Sequence, residues 1–151
     1  MTTRQSSSSW NSPKEISIPS PSELQVIIRH GDADLAVKYG QSVGEGLAAQ
    51  LTTSQIRNVF TTVRKIEMNW PVRQDTDQEK RATSAAVRQL KLLRPKLAYQ
   101  ASREQRGGSG MKTLAALLSS AIELVGEDRG RFQHFVDFFE AILAYHTAAQ
   151  G

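Results

Sequence analysis

The apolar residues of this chain recur at three- and four-residue steps, and no segment alternates at two. A helix turns about 100° per residue, so such spacing gathers the apolar side chains into one stripe, whereas a half-buried strand needs strict alternation. No Asn-Gly or Asp-Gly hairpin turn occurs either. The pattern predicts an all-α fold: a single compact bundle of five to six helices.

The stripes and their punctuation define the segments. Residues 1–21 hold a serine run, Ser6–Ser9, and Pro13, Pro19 and Pro21. This composition buries too little to offset its ordering entropy, so a disordered tail is expected, with Trp10 as a lone exposed aromatic. The remaining residues, 22–151, form one helical-bundle domain. Residues 23–30 fit a helix turn or two, or a strand, and are read as helix. A helix over 34–50 carries Leu35, Val37, Tyr39, Val43 and Leu47, and its Gly40, Gly44 and Gly46 mark close packing or a bend. Thr52 and Gln55 stand at capping-box spacing ahead of Ile56, Val59, Phe60, Val63, Ile66 and Trp70, and Pro71 ends that helix. Asp75–Asp77 offer an N-cap for a helix over 78–93, with Ala82, Ala85, Ala86, Leu90 and Leu93 as its buried stripe. Pro95 predicts a stop or a kink, and is also well placed to open a short helix over 95–104. Gly107–Gly110 reads as a hinge or loop. A helix over 111–125 ends at Gly126, and a strongly aromatic helix over 131–148 completes the bundle.

Length and composition narrow the function. At 151 residues, with 39% hydrophobic residues, the chain suits one modest core. The absence of cysteine excludes disulfide scaffolds, cysteine-ligated metals and thiol catalysis. The N-terminus has no apolar secretory region, and no apolar run approaches the roughly 18–20 residues that cross a bilayer. A cytoplasmic protein without membrane contact is the expectation.

The net charge of +4 hides a strong asymmetry. Residues 1–56 carry four basic and five acidic groups, net −1; residues 57–112 carry thirteen and five, net +8; residues 113–151 carry two and five, net −3. Within the middle, Lys80, Arg81, Arg88 and Lys91 fall in an arc of roughly 100° opposite the apolar stripe. Arg57 and Arg64 nearly coincide on the preceding helix. Single charged residues are usually solvated surface, but an excess this large does not neutralise locally. It suits a phosphate backbone, bound with release of counterions. Aromatics are few in the region, Trp70 and Tyr99 among them, which favours backbone tracking over base stacking.

Catalytic patterns are missing. There is no P-loop, dinucleotide fingerprint or Ser/His/Asp signature. His134 and Asp137 lie three apart on a helix, but no third metal ligand joins them in sequence. His30-Gly31-Asp32 with Asp34 is only loosely similar to phosphodiesterase ligands. His146, near a helix end, is read as a dipole-compatible cap. No catalytic residue, metal or cofactor is assigned.

Three segments then carry a resemblance: LTTSQIRNVFTTVRKI over 51–66, LKLLRPKLAYQASR over 90–103 and FQHFVDFFEAILAYH over 132–146. In this order and spacing they resemble the small subunit of Csm-type (type III-A) CRISPR effector complexes. The resemblance implies a non-catalytic, all-helical subunit in antiviral defence. Several copies of it line a ribonucleoprotein filament and help hold guide (CRISPR) RNA and target RNA through sequence-nonspecific backbone contacts. Its other partners would be the backbone subunits, the large signalling subunit and further copies of itself. Carried onto matched positions, the resemblance implies an RNA-facing set of Arg57, Arg64, Lys65, Lys91, Arg94, Lys96 and Arg103. Tyr99 and Tyr145 are read as packing residues, and Glu140 as a buried ion pair or subunit contact. A helical protein–protein adaptor without RNA contact, suggested by the aromatic last helix, is the alternative. A metal-dependent phosphodiesterase is a more distant third.

Overall fold

The computed structural model describes residues 16–103 and 110–150. Within them every regular element is an α-helix: α1 Pro21–His30, α2 Ala33–Leu47, α3 Thr53–Asn69, α4 Asp77–Arg103, α5 Gly110–Val125 and α6 Arg129–Gln150. Trp10, Glu104, Arg106 and most of the expected glycine hinge lie outside the described residues. Ile16 packs against the core, and Ser42 Oγ donates to the Ser17 carbonyl at 3.0 Å, so the chain leading into α1 is held along α2.

The helix starts are set by side chains that satisfy otherwise unpaired backbone N–H groups. Thr52 and Gln55 form the expected box: Gln55 N donates to Thr52 Oγ1 at 3.1 Å, and Thr52 N donates to Gln55 Oε1 at 2.8 Å. Ser20 and Glu23 build a second box, and Pro21 opens α1. At the start of α4 the cap is Thr76, not one of the flanking aspartates. Glu79 N donates to Thr76 Oγ1 and Thr76 N to Glu79 Oε1, both at 3.0 Å. Gly31 and Gly126 adopt positive φ, 68° and 60°, and stop α1 and α5 in the left-handed turn that glycine accepts without strain.

Of the stop or kink expected at Pro95, the stop does not occur. α4 runs unbroken from Asp77 to Arg103 with Pro95 inside it. Leu90 and Leu93 before the proline, and Leu97 and Ala101 after it, stay on one buried stripe. Pro95 itself is exposed, as is Lys91, whose carbonyl loses its helical partner, so water can serve that group. Packing on both sides of the proline outweighs the lost hydrogen bond. The stripe also shifts slightly: Ala85 is exposed and Val87 is buried.

α6 is the centre of the bundle, packed by α1, α2, α3 and α5. Phe132, Phe135, Phe138, Phe139 and Ile142 are wholly buried. Trp70 stacks on Phe132 at 4.9 Å, and Phe60 meets Phe139 edge-on at 5.2 Å. α2 lies along α6 because its glycines permit a close approach. A methyl group on Gly44 would come within 2.5 Å of the Ile142 carbonyl oxygen, and one on Gly40 within 2.7 Å of the Ala141 methyl. α4 stands at the outside, against α3 and α5.

Two expectations for α6 are corrected. His146 is not an end cap but a fully buried side chain hydrogen-bonded to Leu51. Of the two readings of Glu140 the buried pair is ruled out, since the residue is exposed on the side of α6 left free by its neighbours. Tyr145 is half-buried against Gly44, in keeping with a packing role.

Candidate nucleic-acid interface

The basic middle of the sequence becomes two neighbouring helices. α3 presents Arg57, Arg64 and Lys65, and α4 presents Lys80, Arg81, Arg88, Lys91, Lys96 and Arg103; all of these are exposed. Each helix turns an apolar stripe inward, Ile56–Val59–Val63–Ile66 on α3 and Ala86–Leu90–Leu93–Leu97 on α4. The same periodicity therefore forces the basic residues outward.

The expected RNA-facing residues do not form one continuous surface. The first turns of α3 and the last turns of α4 lie side by side, with Gln55 and Asn58 sharing a hollow with Gln100 and Arg103. On α3, Arg57 and Arg64 sit roughly 130° round the helix from Gln55 and Asn58. They occupy the flank turned away from α4, and Lys65 lies on the exposed side between the two. On α4, Lys91, Lys96 and Arg103 share the outward half of the helix.

Arg94 stands apart from the other six. It is half-buried, and its Nε donates to Ser119 Oγ at 2.8 Å, tying α4 to α5. Arg64 pairs with Glu67 one turn on. Lys91 Nζ reaches Glu127 at 2.9 Å, with both side chains more than half exposed. The Lys91 pair is a surface pair, weak and screened, so a phosphate can replace its carboxylate, whereas Glu67 is largely buried beside Arg64.

Lys91 also belongs to a groove of about 710 Å³, lined by Gln74, Lys80, Thr83, Ser84, Val87, Arg88, Lys91, Leu92 and Glu127. Three cations converge there against one carboxylate. Lys80 and Arg88 were legible in the sequence as members of the basic arc, but lie outside the motif positions that define the expected set.

Tyr99 departs from the expected packing role. Its side chain is 63% exposed, and the Arg103 guanidinium lies 5.6 Å from its ring centre. The ring stands about opposite the buried stripe of α4.

The carboxylates with displaced pKa values are helix caps. Hydrogen bonds from the backbone N–H groups of Thr76 and Asp75 hold Glu79 below the usual carboxylate range. The Ser20 backbone N–H, then the Tyr39 hydroxyl, do the same for Glu23, and the Glu23 carboxylate in turn raises the Tyr39 phenol. Among the described residues no group of three His, Asp or Glu is placed to hold a metal ion. His134, the nearest to a ligand in sequence, has its Nδ1 2.8 Å from the Ile28 carbonyl oxygen. No helix among the described residues is long and apolar enough to cross a membrane.

The comparisons with known proteins agree with this architecture. The family model described as Csm2 Type III-A matches residues 30–151, which take in α2 to α6 and all three sequence motifs. No curated protein and no solved structure matches the chain. With most of its length covered by that model, the chain belongs to the Csm2 type III-A family, the small subunit of type III-A CRISPR effector complexes.

Proposed function

We propose that this subunit is a non-catalytic architectural component that holds guide and target RNA within the effector complex in the cytoplasm. The observation that carries the reading is the exposed basic surface of α3 and α4, drawn from a stretch of net charge +8. Arg57, Arg64, Lys65, Lys91, Lys96 and Arg103 supply the RNA contacts, and Lys80 and Arg88 extend them along the α4 groove. Arg94 acts mainly as a brace between α4 and α5. Lysine and arginine on helix faces, without a recognition element that enters a groove, suit phosphate contacts that ignore sequence. Backbone and signalling subunits, and further copies of this chain, complete the partners.

The adaptor reading drew on the aromatic last helix. The phenylalanines of α6 are all buried in this chain's own core, so they offer no aromatic face to a partner.

The test is affinity purification from the native host with sequencing of the co-purified RNA. Repeat-derived guides of stepped length are expected. Recovery of protein alone, unaffected by ribonuclease, would overturn the reading.

A further inference from the structure

We propose that Tyr99 is a stacking platform for an unpaired RNA base, with Lys96 and Arg103 taking the flanking phosphates. The proposal rests on the RNA-binding reading above and adds a contact of a different kind to it.

Tyr99 contributes little to the fold. An aromatic ring kept 63% in solvent forgoes most of the burial that makes tyrosine useful in a core. Its helical neighbours are those an RNA strand would use. Lys96 lies three residues before it and Arg103 four after it, on the same exposed side of α4. Leu92, seven residues before it and 44% exposed, continues the apolar strip on that face.

Pro95, Lys96, Tyr99, Gln100 and Arg103 line a hollow of about 430 Å³. The Arg103 guanidinium over the ring orients it and brings a cation beside it. Aromatic and guanidinium planes flanked by cations are the surfaces on which unpaired bases stack. Bases already paired in a duplex present no free face, so this platform selects a single-stranded or displaced nucleotide. The charge of the surroundings favours a polyanion over an apolar protein partner at this spot.

The test uses the full chain at low ionic strength and a single-stranded oligouridylate carrying one 2-aminopurine. Binding is read by anisotropy, and stacking by quenching of the 2-aminopurine. Tyr99→Leu is expected to weaken binding about fivefold or more and to abolish the quenching, with the salt dependence unchanged. Tyr99→Phe, which keeps the ring, should retain both. If Tyr99→Leu binds and quenches like wild type while Lys96→Glu/Arg103→Glu loses binding, the stacking proposal fails and the RNA reading stands. If the wild type shows no binding that depends on salt or on these cations, the RNA reading fails and takes this proposal with it. If Tyr99→Leu leaves RNA binding intact but changes self-association after ribonuclease treatment, Tyr99 is a protein contact and the proposal is wrong.

Discussion

His146 Nε2 lies 2.8 Å from the carbonyl oxygen of Leu51, joining the last helix to the linker between α2 and α3. The same carbonyl accepts from Gln150 Nε2 at 3.0 Å. A carbonyl oxygen only accepts, so Nε2 carries a proton, and among the described residues Nδ1 has no partner. Replacing His146 with Leu removes one of two donors to a buried carbonyl and is expected to cost about 1–3 kcal/mol. Gln150→Ala alone should cost less. The double variant should lose more than the sum, since only then is the Leu51 carbonyl left bare. Chemical denaturation of the four proteins measures the coupling.

Gly44 tests the α2–α6 contact. Alanine gains about 1 kcal/mol of helix propensity over glycine. Here its methyl would strike the Ile142 carbonyl and the His146 backbone nitrogen, neither of which is a flexible side chain end. Gly44→Ala is therefore expected to destabilise by about 1–3 kcal/mol. Gly46→Ala, which first meets the Ile16 side chain, should be milder. A thermal melt that rises for Gly44→Ala would contradict the close packing.

Glu23 gives the fold a dependence on acid. Its pKa is depressed in the folded state, so its contribution is present above the unfolded value and lost as pH falls through the folded one. As pH falls from above the ordinary carboxylate range through the lower folded value, wild type should lose stability relative to Glu23→Gln. Tyr39 has the opposite sense. Its pKa is raised, so its contribution holds below the unfolded value and is lost as pH rises through the folded one. Urea midpoints across pH, compared between the variants, check both signs.

Pro95 sits inside a helix that packing holds together. Pro95→Ala restores the hydrogen bond to the Lys91 carbonyl and should stabilise α4 by about 1–3 kcal/mol. Hydrogen exchange should slow in the flanking turns. No change in either measurement would mean that the proline costs nothing here.

The elements were legible in the sequence because their caps and stripes are local. Thr52–Gln55 announced α3, and Gly126 announced the end of α5. The differences arose where tertiary packing outweighed a local rule. Pro95 reads as a breaker, yet Leu93 and Leu97 bury the same face on either side of it. His146 reads as an end residue, yet α6 runs to Gln150 and the Leu51 carbonyl waits beside it. For the site, charge and periodicity placed the basic residues on exposed faces. They did not tell that Arg94 would turn toward Ser119, since that depends on where α5 packs. Nor did they separate the Arg57–Arg64 flank from α4, because the relative rotation of two helices is not written in either one alone. Tyr99 reads as packing from its motif, yet its place in the helical period, opposite Leu90, Leu93 and Leu97, turns it outward.

The basic surface of α4 is the centre of the account, and its salt dependence is the most direct test. RNA affinity of the assembled complex should be measured from low to moderate salt with wild type and with Lys91→Glu/Lys96→Glu/Arg103→Glu. The expected result is at least a roughly tenfold loss at low salt, with a log–log slope shallower by about 2–3 as phosphate contacts disappear. Equal affinity and equal slope for the two complexes would contradict the account.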